Sequence, residues 1–116
     1  MVSNAAYSKL TVKKVPAFMS QDIVTKLLRE ELGFDGIVMT SPLNDNVIEN
    51  NYTNEFAVVE AVKAGCDLIV LPGNFKECYE ALITAVEEGR IDEKVINTSV
   101  RRILQNKIQR GILVLE

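Results

Sequence analysis

LLREELGFDGIVMT, residues 27–40, changes periodicity halfway along, and that change decides the fold. Up to Leu32 it continues a helical spacing of apolar positions, Ile23, Val24, Leu27 and Leu28, that starts after Ser20. Gly33 follows where a left-handed cap residue belongs. Beyond Gly36 the run Ile37-Val38-Met39-Thr40 is too short for a helix and rich in branched side chains, as a strand buried on both faces would be. The stretch predicts a helix over 21–32 and a strand over 36–40, joined tightly.

The same alternation continues downstream. Phe56, Val59 and Val62 with Ala57, Ala61 and Ala64 form one face of a helix over 54–64, which Gly65 ends. Residues 66–71 then form the next strand, stopped by Pro72 and Gly73. Asn74 and Glu77 have the spacing of a capping pair for a helix over 75–88 that carries Leu82, Ala85 and Val86 and closes at Gly89. Asp92 caps a last helix over 93–110, in which Val95, Ile96, Val100, Ile103, Leu104 and Ile108 share a face and Ile91 and Ile96 form a staple. Upstream, Met1-Val2 opens a strand over 1–5, one βα step before residue 36. The rhythm β-α-β-α-β-α-α predicts an α/β chain: a partial TIM-barrel-like segment of about three parallel βα units plus a C-terminal helix. Residues 1–116 read as a single domain. In such sheets ligands meet the C-terminal ends of strands, which directs attention to Asn4–Tyr7, Thr40–Asn46 and Pro72–Asn74.

Composition narrows the partners. With 47% hydrophobic and 25% charged residues the chain can build a core, and its net charge of −3 comes from mixed signs without a basic stripe. Neither nucleic acid nor membrane is expected as a partner. Cys66 and Cys78 lack CxxC spacing and the chain has no histidine, so no metal site and no cofactor are expected, and both thiols read as buried. No apolar run reaches the ~18 residues of a membrane span, and the N-terminus lacks the order of a signal peptide, which predicts a cytoplasmic location.

The three loops contain no His and no Lys, and Asp45 is their sole carboxylate. In Asn44-Asp45-Asn46 it reads first as a turn residue that bonds its own backbone. Asn4, Thr40, Ser41 and Asn74 supply neutral hydrogen-bonding groups.

Four strings occur in order: Pro16-Ala17-Phe18-Met19-Ser20, Leu27 through Val38, Val62-Lys63-Ala64-Gly65-Cys66-Asp67-Leu68, and Ser99-Val100-Arg101-Arg102-Ile103-Leu104-Gln105-Asn106-Lys107. Together they resemble family 3 glycoside hydrolases, especially the β-N-acetylhexosaminidase branch. The resemblance implies the C-terminal portion of that family's (β/α)8 catalytic barrel and, by family, O-glycosyl hydrolysis. In the family the strand after LGFDG ends in a Thr/Ser-Asp-Asp-Leu-like motif whose first Asp is the nucleophile. Here Thr40-Ser41-Pro42-Leu43 places Ser41 at that position and Pro42 at the second Asp. A His that the family carries on the preceding strand is matched by Asn4, and the acid/base loop falls outside these residues.

Retaining hydrolysis needs two carboxyl groups about 5–5.5 Å apart. Ser41 offers no charge and Asp45 could fill at most one role, so the chain is expected to be catalytically inactive by itself. Asn4, Thr40 and Asn74 are the expected saccharide contacts. The alternative is a noncatalytic saccharide-binding or assembly module. Unpaired strand edges predict a homo-oligomer or docking to the remainder of a barrel. Arg29, Arg101 and Arg102 read as members of exposed ion pairs, and Asp67 as a residue that orients backbone at a strand's start.

Overall fold

The computed structural model describes residues 1–71 and 73–116; the expected strand stop at Pro72 falls outside them. The helices follow the periodicity closely. Asn46–Glu49 (α1), Asn54–Ala64 (α2), Phe75–Glu87 (α3) and Glu93–Gln109 (α4) are α-helical, and Ala17–Met19 forms one turn of 3-10 helix. Asp92 caps α4 as expected, its Oδ1 accepting the Lys94 N–H at 2.9 Å. Thr53 does the same for α2, accepting from the Phe56 N–H at 3.2 Å.

Two helical expectations are corrected. Asp22–Glu31 is wound as a π-helix rather than an α-helix, so that the Leu32 N–H reaches the Leu27 carbonyl at 2.9 Å. Two side chains tie this helix to a single bend: Thr25 Oγ1 donates to the Ala64 carbonyl at 2.7 Å and Arg29 Nη2 to the Gly65 carbonyl at 3.1 Å. Leu32, expected on the core face, swings out to 69% exposure. Asn74 stands at the N-cap of α3 as foreseen but in the left-handed conformation, φ 53°, with no side-chain capping bond, so the expected pairing with Glu77 does not form.

The expectation of three full strands is corrected as well. Among the described residues the segments near Val2, Met39 and Leu68 meet only through isolated bridges, Val2 with Thr40 and Met39 with Leu68, both parallel. The pairing is real but brief: Val2 N–H donates to Met39 O at 2.8 Å, Ser41 N–H to Val2 O at 3.0 Å, and Thr40 N–H to Leu68 O at 3.0 Å. Side chains end the ladder on both sides. At its start the Val38 N–H donates to Asp67 Oδ2 at 2.9 Å instead of to a carbonyl. At its end Val70 N–H goes to Thr40 Oγ1 at 3.1 Å. Pro42 has no N–H to continue the ladder, and Leu43 N–H reaches Val70 O at 3.2 Å in its place. An antiparallel bridge between Ala6 and Pro16 closes the loop between them.

α2 is the hub. Its apolar residues point in two directions: Ala57, Val58, Ala61 and Ala64 join Phe18, Val24, Val38, Leu43, Ile48 and Cys66 in the larger core. Val59 and Val62 join Ala85 and Ile91 in the smaller one, beneath α3 and α4. A helix buried on two sides carries apolar residues around much of its circumference, which explains why its alanines and valines do not fall on one stripe. Phe56, expected inside, is half exposed and stacks on Tyr52 with ring centroids 5.9 Å apart. Gly65 ends α2 at φ 111°, and a Cβ there would meet Thr25 Oγ1 at 2.8 Å, so both conformation and space require glycine.

Candidate functional site

Thr40, Ser41 and Asn4 come together where the first two extended segments end. The backbone bond from Ser41 N–H to Val2 O sets Ser41 beside the first segment, and the Ser41 hydroxyl donates to Asn4 Oδ1. Its neighbour there is a neutral amide, in a chain that has no imidazole to act as a base. Thr40 is fully buried and its hydroxyl oxygen accepts the Val70 N–H, so it holds the wall of the site.

Asp45 is exposed and caps α1: its Oδ1 accepts the Val47 N–H at 2.8 Å. Ile48, on the same short helix, is fully buried and anchors the loop to the core. Asn74 is exposed at the start of α3. Among the described hydrogen bonds neither Asp45 nor Asn74 reaches Asn4, Thr40 or Ser41. The loops thus present hydroxyl and amide groups and one carboxylate engaged in local capping.

The densest polar cluster lies at the other end of the pairing. The Asp67 carboxylate is fully buried and takes Arg29 Nη2 at 2.7 Å and the Val38 N–H at 2.9 Å on one oxygen. The other oxygen takes Ser99 Oγ at 2.7 Å and Arg102 Nη1 at 2.9 Å. Arg29 also donates from Nη1 to Gly36 O at 3.0 Å. This corrects the reading of Arg29 and Arg102 as exposed pairs: their side chains are 10% and 25% exposed, and they tie two helices to the start of the third segment. Arg101 is exposed. Nothing local marks Ser99 as a member of this cluster, because its partner lies 32 residues away.

Both cysteines are buried and free. Burial first, and then the neighbouring Asp67 charge, push the Cys66 thiol up to about 12 from its ordinary 9.0. A thiol raised in the native state keeps its proton while the unfolded chain releases one. Its stabilising share is therefore complete below pH 9 and is lost as pH rises towards 12. Stability should fall as pH rises above 9, because the unfolded chain releases this proton and the folded one keeps it. Urea unfolding of Cys66→Ala should show a shallower alkaline loss; an unchanged loss would sink the assignment.

Among the described residues no group of three or more His, Cys, Asp or Glu is placed to hold a metal ion. No described helix is long and apolar enough to cross a membrane.

This arrangement, a helical shell around short parallel pairings with polar loop groups at one end, is shared with known proteins. The pattern described as glycosyl hydrolase family 3 N terminal domain matches residues 1–106, and the chain belongs to that family. A family 3 β-N-acetylglucosaminidase from Paenibacillus sp. str. FPU-7 superposes with a TM-score of 0.83 at 37% identity, over 92% of this chain and 22% of that one. The β-N-acetylglucosaminidase of Thermotoga maritima gives 0.78 at 31% identity, over 86% of this chain and 22% of that one. In sequence, β-hexosaminidase A of Pseudoalteromonas piscicida is 30% identical over 79% of this chain and 17% of its own length. The chain thus spans less than a quarter of each of these relatives.

Proposed function

We propose that this chain is the part of a family 3 barrel that carries the nucleophile's position, and that with Ser41 there it serves as scaffold and sugar-facing wall without hydrolysing glycosides by itself. In this reading the three extended segments are neighbouring parallel strands from the last third of the barrel; the two parallel bridges and the likeness to solved family 3 enzymes support it. The observation that carries the proposal is a neutral Ser41 beside Asn4 at the end of the second segment, with the sole loop carboxylate, Asp45, capping α1. A hydroxyl without a base neither attacks the anomeric carbon nor balances an oxocarbenium-like charge.

Aryl β-N-acetylglucosaminide and aryl β-glucoside should therefore release no chromophore above background. Missing general acid–base help alone removes about 10²–10⁴ in rate, so Ser41→Asp should not restore turnover. Hydrolysis by the unmodified chain that disappears in Asp45→Asn would overturn the proposal.

A second reading, a noncatalytic saccharide-binding or assembly module, draws on exposed apolar faces. Val100, Leu104 and Ile108 on α4, and Phe75, Tyr79 and Ile83 on α3, are each at least 40% exposed. In that reading a second copy, or the remainder of a barrel, covers them. Saccharide binding without turnover in the same assays would favour it.

A further inference from the structure

Between the π-helix, the end of α2 and the start of α4 lies a cavity of about 280 Å³ whose walls include Gln21, Thr25, Arg29, Lys63, Lys94 and Arg102. None of its lining residues is acidic, although the whole chain carries a net charge of −3. The nearby carboxylates do not cancel the four cations. Asp67 is shared by Arg29 and Arg102, and Glu60 pairs with Lys63 at 2.8 Å, so two carboxylates face four positive charges. Lys94 has no ion pair among the described residues; Asp92 beside it spends Oδ1 on the Lys94 backbone N–H, and Glu93 does not line the cavity.

A second observation points the same way. Arg29 Nε is buried without any hydrogen-bond partner, the one such side-chain atom among the described residues. A buried donor left unpaired is costly, and a charged one more so. Nε lies 3.9 Å from where a Cβ on Gly65 would sit, and Arg29, Gly65 and Thr25 all line the cavity. The hydroxyls of Thr25, Thr98 and Ser99 already donate within the fold, which leaves the Lys94 ammonium and the remaining N–H groups of Arg102 and Arg29 as donors to a ligand.

We propose that this cavity binds a small oxyanion of the phosphate type, either free or as the terminal group of a phosphomonoester. Several convergent cations, two of them guanidinium groups held rigid by Asp67, suit a compact multivalent anion, because charge-assisted bonds to such oxygens are short and strong. The inference stands apart from the glycosidase reading, since none of these residues touches Asn4, Thr40 or Ser41 in the described hydrogen bonds.

The test is calorimetric titration of the full chain with inorganic phosphate, paralleled by thermal unfolding at matched ionic strength in chloride. Saturable binding and a midpoint raised by phosphate above chloride are expected. Lys94→Gln, on an exposed side chain, should weaken phosphate by roughly tenfold or more, whereas Arg101→Gln, exposed on the same helix and outside the cavity, should leave it unchanged. Hexose 6-phosphate separates the two sources: tighter binding than inorganic phosphate assigns the site to a phosphomonoester, and equal binding assigns it to the free anion. Equal midpoints in phosphate and chloride, or an unchanged affinity in Lys94→Gln, would overturn the proposal.

Discussion

Asp67→Ala is expected to remove about 3–5 kcal/mol of stability, a large share of the roughly 5–15 kcal/mol that holds a domain of this size. The carboxylate accepts four hydrogen bonds, from Arg29, Val38, Ser99 and Arg102, and its removal strands two guanidinium groups in a poorly hydrated place. Arg29 would suffer most, being 10% exposed and already short of a partner at Nε. The loss should appear as a lower urea midpoint. The double variant Asp67→Ala, Arg29→Met should be more stable than the sum of its two single changes, because it removes the stranded charge along with its partner. Strict additivity would show that the two side chains do not depend on each other.

Phe18→Ala should cost a similar amount, about 3–5 kcal/mol, for a different reason. The ring is fully buried in the larger core, among residues contributed by the π-helix, the second segment, α1 and α2. Walls supplied by so many separate elements cannot close together over the void, so the cavity term is retained in addition to the lost transfer energy. Its backbone is held as well, since the Phe18 carbonyl accepts the Cys66 thiol at 3.4 Å. Leu32→Ala is the comparison: with 69% of that side chain exposed, its midpoint should move by no more than about 0.5 kcal/mol equivalent. Equal losses at both positions would mean that the core has been wrongly located.

What the sequence disclosed depends on how local the cause is. α2, α3 and α4 were legible because periodicity, Asp92 at one end and Gly65 or Gly89 at another are all read within a few residues. The π winding was hidden, since the same apolar spacing suits an α-helix, and the bonds that hold the helix in place go to Ala64 and Gly65, nearly forty residues on. α1 was missed because a helix from Asn46 to Glu49 is too short to show a period, although Asp45 before it is an ordinary capping residue. The polar loop groups could be named from the barrel rule, but whether Ser41 is free or engaged with Asn4 depends on a contact across 37 positions. Arg29 and Arg102 looked like surface residues for the same reason, since charge alone gives no hint of a buried carboxylate far along the chain.

The side chains that end the pairing at both its limits also make it hard to misalign. A slide of the third segment by two residues would preserve which faces are apolar, and an ordinary ladder would tolerate it as a near-equivalent arrangement. Here such a slide would take Asp67 away from the Val38 N–H and from both arginines, and would leave Thr40 without the Val70 N–H. The short pairing therefore has a single low-energy alignment, selected by two polar side chains acting as stops. A stretch with so few backbone bonds can still be copied faithfully at every refolding.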